Sequence, residues 1–269
     1  MTGDDDLVVL VTAHPDDETM FFLPTIRSIQ ANSSSLSCEV WLICLTNGNY
    51  DGLGQMREKE LRRVALDVLG LDKLVIVSNG ALQDSPTDEW DVAVVSSVLE
   101  RELFPRRRRH QQQQQPAAET EPCRRPIHIL TFDHYGVSGH INHRFTHLGV
   151  QHFLKTMAVN ENQRQLYGWQ LRSIRNPVVK YLPVYHWFLV LLALLLGFGG
   201  GGVPNGRSTG STMMMADSYS LYEPWLNWKC MSTHQSQFVW YRRLFVIFSV
   251  YTYHNQWTPL PSLEATKRY

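Results

Sequence analysis

The chain has 269 residues, a formal net charge of zero and a pI of about 7.2. A chain of this length can bury a substantial core in one domain, and its balanced charge gives no reason to predict a nucleic-acid partner. The four cysteines form no C-x-x-C pair, so no disulfide framework is predicted and a reducing compartment is the default.

The first predicted strand is an apolar run at residues 7–12, and it ends in Ala-His-Pro-Asp-Asp-Glu at residues 13–18. No apolar leader precedes it, so no signal peptide is predicted. Open α/β sheets bind ligands at strand ends, and imidazole with carboxylate is a common ligand set for zinc and other divalent metals. Three adjacent carboxylates repel one another unless a cation or a proton intervenes. A metal site is therefore favoured over a turn that only caps the next helix.

Strands and helices alternate in the following part of the chain. Helices are predicted at residues 20–32, 57–69 and 90–104, and strands at residues 38–46 and 74–77. The helix at 57–69 is marked by apolar residues at helical spacing and by Gly70, which ends it. This alternation predicts an α/β fold with a parallel sheet that is covered by helices on both faces.

A second apolar strand, at residues 127–132, also ends in polar sequence that contains glycine. The sequence beyond it carries His140 and His143, whose spacing puts both rings on one face if a helix begins near His140. An isolated pair of histidines at this spacing is more typical of solvated or capping side chains. The presence of two such strand-end clusters is what favours a functional site.

The two clusters together supply the residues of a zinc hydrolase site. Such a site needs three protein ligands and one open position for water. From the residues alone, the ligands are His14, Asp17 and either His140 or His143. Asp16 and the remaining histidine are then available for acid–base chemistry.

Three segments depart from the alternating pattern. Residues 106–126 are a low-complexity insertion rich in Arg and Gln, which could contact anionic lipid or phosphate but is more typical of a solvated loop. Residues 178–198 are strongly apolar, but polar residues interrupt their first half. An interfacial or re-entrant membrane segment is favoured there over a core helix, and either over a full span. Residues 199–217 are predicted to be a flexible loop.

Several stretches resemble the motifs of the LmbE-like zinc deacetylase superfamily, in particular its eukaryotic branch, the PIG-L family of N-acetylglucosaminyl-phosphatidylinositol (GlcNAc-PI) de-N-acetylases. They lie at residues 13–18, 48–54, 57–61, 131–143, 231–237 and 240–244. The AHPDDE motif with a later HxxH is specific for the superfamily, and the GVSGH stretch and the C-terminal motifs point to the glycolipid branch. The resemblance covers most of the chain and lapses at residues 106–126 and 199–217.

The resemblance implies a single domain with a Rossmann-like three-layer α/β/α fold and a mostly parallel sheet. It also implies that His14, Asp17 and His143 bind Zn²⁺, with another divalent metal as the alternative. Asp16 is implied to be the general base, and His140 the group that polarises the substrate or donates a proton.

Further candidates for contact with the substrate are Arg57, Asp133, His234, Gln237, Arg242 and Arg243. Arg57 begins a helix near a strand end, where it could bind phosphate or sugar hydroxyls or be an ordinary surface residue. Asp133 could orient a histidine or only cap its loop. Arg242 and Arg243 lie among aromatic residues, which suits a lipid headgroup, a membrane surface or amphipathic packing.

The implied reaction is hydrolysis of the N-acetyl group of GlcNAc-PI, the second step of GPI-anchor biosynthesis. The implied location is the endoplasmic reticulum membrane, with the catalytic domain facing the cytosol. Family members usually carry an N-terminal transmembrane segment, whereas the first strand here is predicted from residue 7, so residues 178–198 are an alternative membrane contact. We expect residues 178–198 and 222–253 to lie on the same side as the metal site and to form a membrane-facing rim.

Two rival functions stay open. One is deacetylation of a soluble GlcNAc conjugate, which the apolar segment and the aromatic, basic C-terminal part disfavour. The other is a non-catalytic scaffold, which the retention of every metal and base position disfavours. The sequence identifies no protein partner.

Overall fold

The computed structural model describes residues 6–32, 38–105, 125–159, 165–182, 187–188, 218–219 and 224–260. The main sheet is built from β1 (Asp6–Thr12), β2 (Cys38–Cys44), β3 (Lys73–Ile76), β4 (Ile127–Phe132), β5 (Leu166–Leu171) and, near the C-terminus, β8 (Trp257–Pro259). Its order is β3-β2-β1-β4-β5-β8, and every pairing is parallel except that of β8 with β5. Strands β6 (Ser218–Tyr219) and β7 (His254–Asn255) form a separate antiparallel pair. The predicted α/β class with a mostly parallel sheet is confirmed.

The main α-helices that the structure describes are α1 (Asp17–Phe21), α2 (Leu23–Asn32), α3 (Gly54–Arg62), α4 (Val92–Leu103), α5 (Gly136–Gly139), α6 (Ile141–Val159), α7 (Pro177–Tyr181), α8 (Pro224–Thr233) and α9 (Trp240–Phe248). The chain crosses the sheet from β1 to β3 in one direction and from β3 to β5 in the other. Because such crossovers are right-handed, α2 and α3 lie on one face and α4 and α6 on the other. Helices α4 and α6 pack against each other, and the result is a three-layer α/β/α arrangement.

The predicted elements are present, but their ends differ by a few residues. The helix predicted at 20–32 begins earlier, at Asp17, and is interrupted at Phe22. The helix predicted at 57–69 begins at Gly54, and its second half, Arg63–Val68, is a π-helix. It ends before Gly70, whose φ of 64° is a left-handed conformation that glycine adopts without a steric penalty. The amphipathic pattern therefore located the helices but not their first turns.

Strands β1 and β4 occupy the centre of the sheet and form the middle of the core. Every residue of β4 is buried, and so is every residue of β1 after Asp6. Helices cover both faces here, so the two strands are continuous apolar runs rather than alternating ones. This burial explains why their sequences were easy to recognise.

Part of the sequence prediction lies outside the described residues. This holds for the flexible loop at 199–217, for nearly all of the insertion at 106–126 and for most of the apolar segment at 178–198. Of the apolar segment, the structure describes residues 178–182, largely within α7, and residues 187–188. None of the described helices is long and apolar enough to cross a membrane.

Candidate active site

The site lies where the order of the parallel strands reverses, at the carboxyl ends of the neighbours β1 and β4. Open α/β sheets form a crevice at this position because the helices on the two sides lead away in opposite directions. A cleft of about 770 Å³ opens there. Its walls come from the segments that follow β1, β2, β3 and β4, and from α7 and α9.

Three buried side chains meet at the base of the cleft. Nδ1 of His14 lies 3.3 Å from Nε2 of His143, and Oδ1 of Asp17 lies 3.1 Å from that same Nε2. The other carboxylate oxygen of Asp17 is 3.7 Å from Nδ1 of His14. Ligands about 2.0–2.1 Å from a tetrahedral zinc ion are themselves about 3.3–3.4 Å apart. The chemistry and the spacing of these donors therefore fit a zinc-sized cation.

In both His14 and His143, the ring nitrogen that points away from the cluster contacts another group. Nδ1 of His143 donates to the carbonyl oxygen of Gly136 at 3.0 Å, so the lone pair of the neutral ring is on Nε2, which faces the cluster. Nε2 of His14 lies 3.1 Å from a carboxylate oxygen of Asp84 and 3.0 Å from the Asn142 amide. Nδ1 of His14 is therefore the nitrogen that faces the cluster. Metal-binding histidines are commonly oriented by outer partners of this kind.

Asp17 is in the ionised form that a metal ligand requires. Burial by itself would raise the pKa of its carboxyl, but His143 and His14 outweigh this effect and hold the pKa well below its usual range. Oδ2 also accepts hydrogen bonds from the backbone N–H groups of Ala13, at 3.1 Å, and His14, at 2.8 Å. These bonds fix the carboxylate and leave Oδ1 directed at His143.

His140 lies beside the cluster, immediately before helix α6, so the predicted helix start near this residue is confirmed. The backbone N–H of Asn142 donates a hydrogen bond to Nδ1 of His140 at 3.3 Å. The proton of the neutral His140 ring is therefore on Nε2. Burial, together with the nearby His14 and His143, lowers the pKa of His140 to about 4. The ring is therefore a neutral hydrogen-bond donor near pH 7.

A second set of three donors is also present. Within the described part of the chain, ring nitrogens of His14, His140 and His143 all lie within 4.8 Å of one another and could hold a metal ion. The set with Asp17 in place of His140 has shorter separations, 3.1–3.7 Å. The 3.1 Å and 3.7 Å distances involve different carboxylate oxygens of Asp17, so the geometry is compatible with either set of three ligands.

Asp16 is held in an unusual conformation next to the cluster. Its φ of 118° is one of two positive values among the non-glycine residues that the structure describes. Its carboxylate forms a salt bridge with Arg242, and its other oxygen lies 3.6 Å from Arg57. The Asp16 backbone N–H donates to Glu18 at 3.1 Å. Strained backbone of this kind persists where surrounding contacts impose it, and it is often found at functional sites.

Arg57 connects three of the segments that line the cleft. It donates to the carbonyl oxygens of Pro15 at 2.8 Å and Gly48 at 3.0 Å, and it lies 3.5 Å from Asp84. A Cβ atom at Gly48 would lie 2.4 Å from the Arg57 guanidinium, so only glycine permits this approach. Arg57 is 7% exposed and lines the cleft, which excludes the ordinary surface role that the sequence left open.

Two residues of the first C-terminal motif make buried contacts outside the cleft, His234 with the AHPDDE loop and Ser236 with helix α3. Nε2 of His234 lies 2.7 Å from Oε1 of Glu18, and both side chains are fully buried. Burial alone would lower the pKa of His234, but the Glu18 carboxylate outweighs it and raises the pKa. Ser236 donates to Glu60 through its backbone N–H at 2.8 Å and through its hydroxyl at 2.6 Å. His234 is therefore a buried structural residue that holds Glu18, and it does not line the cleft, where the sequence suggested a role in substrate binding.

Replacing His234 with alanine is expected to destabilise the fold by about 3–5 kcal/mol, because it leaves the Glu18 carboxylate buried without its partner. Urea unfolding followed by tryptophan fluorescence would measure the loss. A double-mutant cycle with Glu18→Gln should show a strong coupling between the two sites. A decrease in the free energy of unfolding below about 1 kcal/mol, the range of exposed ion pairs, would contradict the structural role of His234.

The remaining candidates for contact with the substrate divide into two groups. Gln237 and Arg242 line the cleft. Asp133 does not, because its carboxylate accepts hydrogen bonds from the backbone of Gly136 and from Ser173 and so orders the turn before α6. Arg243 is also absent from the cleft, and its guanidinium lies 5.0 Å from the ring centroid of Phe238. Of the two roles considered for Asp133, the structure supports the loop cap.

Asp84 and Lys180 line the cleft and were not among the candidate site residues. Asp84 follows β3, and the same reasoning about strand ends would have found it. Burial would raise its pKa, but His14, Arg57 and His140 together lower it. Lys180 also lines the cleft; its only signal in the sequence is a single charge within an apolar segment.

Comparisons with known proteins identify relatives of this chain. Residues 9–154 match the family described as PIG-L, GlcNAc-PI de-N-acetylase. The N-acetylglucosaminyl-phosphatidylinositol de-N-acetylase of Bos taurus is 30% identical over 253 residues, covering 93% of this chain and 82% of the bovine protein. The enzyme of the same name from Saccharomyces cerevisiae is 29% identical over 258 residues, covering 92% and 79%.

A solved structure shares the fold. The N,N'-diacetylchitobiose deacetylase of Pyrococcus horikoshii superimposes with a TM-score of 0.50, covering 97% of this chain and 86% of the archaeal one. The sequence identity is 15%, so the likeness concerns the fold alone.

Proposed function

The chain belongs to the PIG-L family of GlcNAc-PI de-N-acetylases, and from this we propose that it hydrolyses the N-acetyl group of GlcNAc-PI in GPI-anchor biosynthesis. The products are acetate and GlcN-PI. The observation that supports this most directly is the convergence of His14, Asp17 and His143 in one buried cluster with Asp16 and His140 beside it.

We propose that His14, Asp17 and His143 hold Zn²⁺, through Nδ1, a carboxylate oxygen and Nε2 respectively. Bound zinc would supply Lewis acidity, which lowers the pKa of water to about 7 and polarises an amide carbonyl. Other divalent metals accept the same donors, so the choice of zinc rests on the resemblance to the zinc deacetylase superfamily.

The side chains around the cluster supply the proton transfers. Asp16 takes a proton from the attacking water as the water oxygen bonds to the acetyl carbon. His140 donates a hydrogen bond from Nε2 to the carbonyl oxygen as negative charge develops there. When the C–N bond breaks, the proton on Asp16 passes to the leaving amine. Arg57 and Arg242 hold the Asp16 carboxylate at the cleft throughout.

The decisive experiment is an assay of acetate release from GlcNAc-PI by the purified protein, with and without a chelator. We expect release by the metal-loaded protein, loss of release with the chelator and recovery when zinc is added back. A scaffold protein would release no acetate from any substrate. A deacetylase of soluble conjugates would release acetate from a soluble GlcNAc glycoside but would not float with liposomes.

We further propose that the protein acts at the cytosolic face of the endoplasmic reticulum membrane. A set of exposed apolar side chains on and next to α7 and α9, here called the apolar rim, borders the cleft. Its members are Val178, Val179, Leu182, Trp240, Leu244 and Ile247. The two helices contact each other, as shown by the rings of Tyr181 and Phe245 with centroids 6.3 Å apart. Exposed apolar side chains on two contacting helices next to a cleft suit a lipid surface.

The triple variant Val178→Ser, Val179→Ser, Trp240→Ser is expected to bind liposomes at least about tenfold more weakly, because each buried apolar side chain contributes about 1.5–3 kcal/mol. None of the three lines the cleft, so acetate release from a soluble GlcNAc glycoside should be retained. Flotation and acetate assays would measure the two effects. The matched control is Leu148→Ser, an exposed leucine of α6 outside the cleft. Unchanged flotation of the triple variant would contradict the proposal that the apolar rim binds the membrane.

A further inference from the structure

Three basic side chains line the cleft within the described residues, and they differ in their partners. Arg57 faces the carboxylates of Asp16 and Asp84, and Arg242 forms a salt bridge with Asp16. Lys180 has no acidic partner within salt-bridge distance among the residues that the structure describes. It is the cation of the cleft that remains available to a negatively charged ligand.

Lys180 is buried although its charge is not neutralised. Its side chain is 8% exposed, and Nζ donates to the carbonyl oxygen of Val137 at 3.0 Å. Nζ also lies 5.5 Å from the ring centroid of Tyr181 and 5.7 Å from that of Tyr251. An ammonium group has three donors, and a buried charge without a counter-charge is costly. Burial alone lowers the pKa of Lys180, which reflects this cost.

Lys180 lies on the same helix as part of the apolar rim and lines the cleft that holds the cluster. On the short helix α7, Lys180 enters the cleft, whereas Val178 and Val179 are 61% and 53% exposed. The helix thus presents one charged residue to the cleft and apolar residues to the surroundings. A ligand whose anionic group lies between a sugar and apolar chains would match this order.

We propose that Lys180 binds the phosphodiester group of the substrate and forms an anion subsite between the metal cluster and the apolar rim. This inference rests on the proposed function. In GlcNAc-PI the phosphate joins the inositol, which carries the sugar, to the acylated glycerol. With the acetamide at the cluster and the acyl chains at the rim, the phosphate falls between them, where the unpaired ammonium lies. An ammonium is a suitable phosphate ligand as a point charge.

The test compares two substrates in Lys180→Met and Lys180→Arg variants. One substrate is GlcNAc-PI, and the other is octyl N-acetylglucosaminide, which is neutral. We expect Lys180→Met to lower the ratio of kcat/KM for GlcNAc-PI over that for the glycoside by about 10–100-fold, the usual range for a lost hydrogen bond to a charged group. Lys180→Arg should restore part of the ratio. The control is Lys155→Met, an exposed lysine of α6 that does not line the cleft.

Binding of a phosphate probe tests the same subsite independently of the lipid substrate. Inositol 1-phosphate should inhibit hydrolysis of the neutral glycoside by the wild-type protein, and inositol should not. Lys180→Met should weaken that inhibition about tenfold or more. An equal inhibition by inorganic phosphate would assign the subsite to free phosphate and overturn the headgroup assignment.

The results distinguish phosphate binding by Lys180 from a purely structural role of Lys180. They also test the proposed function separately from the subsite. An equal loss on both substrates, or no loss on either, would overturn the subsite, since Lys180 would then only tether the turn at Val137 or do nothing. A wild-type protein that hydrolyses the glycoside but not GlcNAc-PI would overturn the proposed function. The inhibition by inositol 1-phosphate would still decide whether Lys180 binds a phosphate group.

Discussion

Replacing His143 with alanine is expected to empty the metal site and to abolish most acetate release. The ring supplies one of three proposed ligand atoms, and its Nδ1 hydrogen bond to Gly136 fixes the direction of Nε2. Changing an outer partner of a metal ligand costs about 10–100-fold in affinity or activity, so loss of the ligand itself should cost more. Metal content by elemental analysis, together with acetate release, would measure both effects.

The control for this variant is His152→Ala on the same helix. His152 is exposed and lies outside the cleft, so its loss should change neither metal content nor turnover. Retention of a full equivalent of metal by His143→Ala would contradict the ligand assignment. Loss of metal in His140→Ala, with retention in Asp17→Asn, would favour the three-histidine set instead.

Replacing Asp16 with asparagine is expected to keep the metal but to lower turnover by about 10²–10⁴-fold, the usual cost of losing a general base. The substitution preserves the shape of the side chain and one oxygen that can face Arg242. It also suits the backbone, because asparagine, like aspartate, tolerates positive φ. Turnover with saturating zinc and elemental analysis would separate the two properties.

Asp67→Asn, an exposed residue of the π-helix, is the matched control and should leave turnover unchanged. If Asp16→Asn emptied the site while His143→Ala kept its metal, the roles of the two residues would be reversed. A loss of less than about tenfold would remove Asp16 from the proton transfer, because a general base contributes more than that.

The position of the site was largely predictable because it follows local rules. Apolar runs predicted β1 and β4, and parallel neighbours end at the same edge of a sheet, so the polar residues after each strand were expected to meet. The same reasoning predicts that His14, Asp17, His140 and His143 lie in one site. Applied to β3, it would also have found Asp84.

The resemblance to a family reached further along the chain but was less specific about individual roles. It identified the C-terminal motif that contains His234 as belonging to the same protein family. It could not distinguish a residue that touches the substrate from one that holds the loop, and His234 is the latter. Asp133 likewise orders a turn instead of reaching the cleft. Motifs mark such residues equally, because both kinds of role require a particular side chain.

The sequence by itself determined strands β1 to β4, the fold class and the donor types at the site, since burial periodicity and strand ends are local properties of the chain. Tertiary structure alone decided which nitrogen of each histidine faces the cluster, because the other ring nitrogen is held by the Gly136 carbonyl oxygen in His143 and by the Asp84 carboxylate in His14. It also joined Arg242 to Asp16 across 226 residues and buried Lys180 without a counter-charge. Such contacts depend on how distant segments pack, which the pattern of neighbouring residues does not encode.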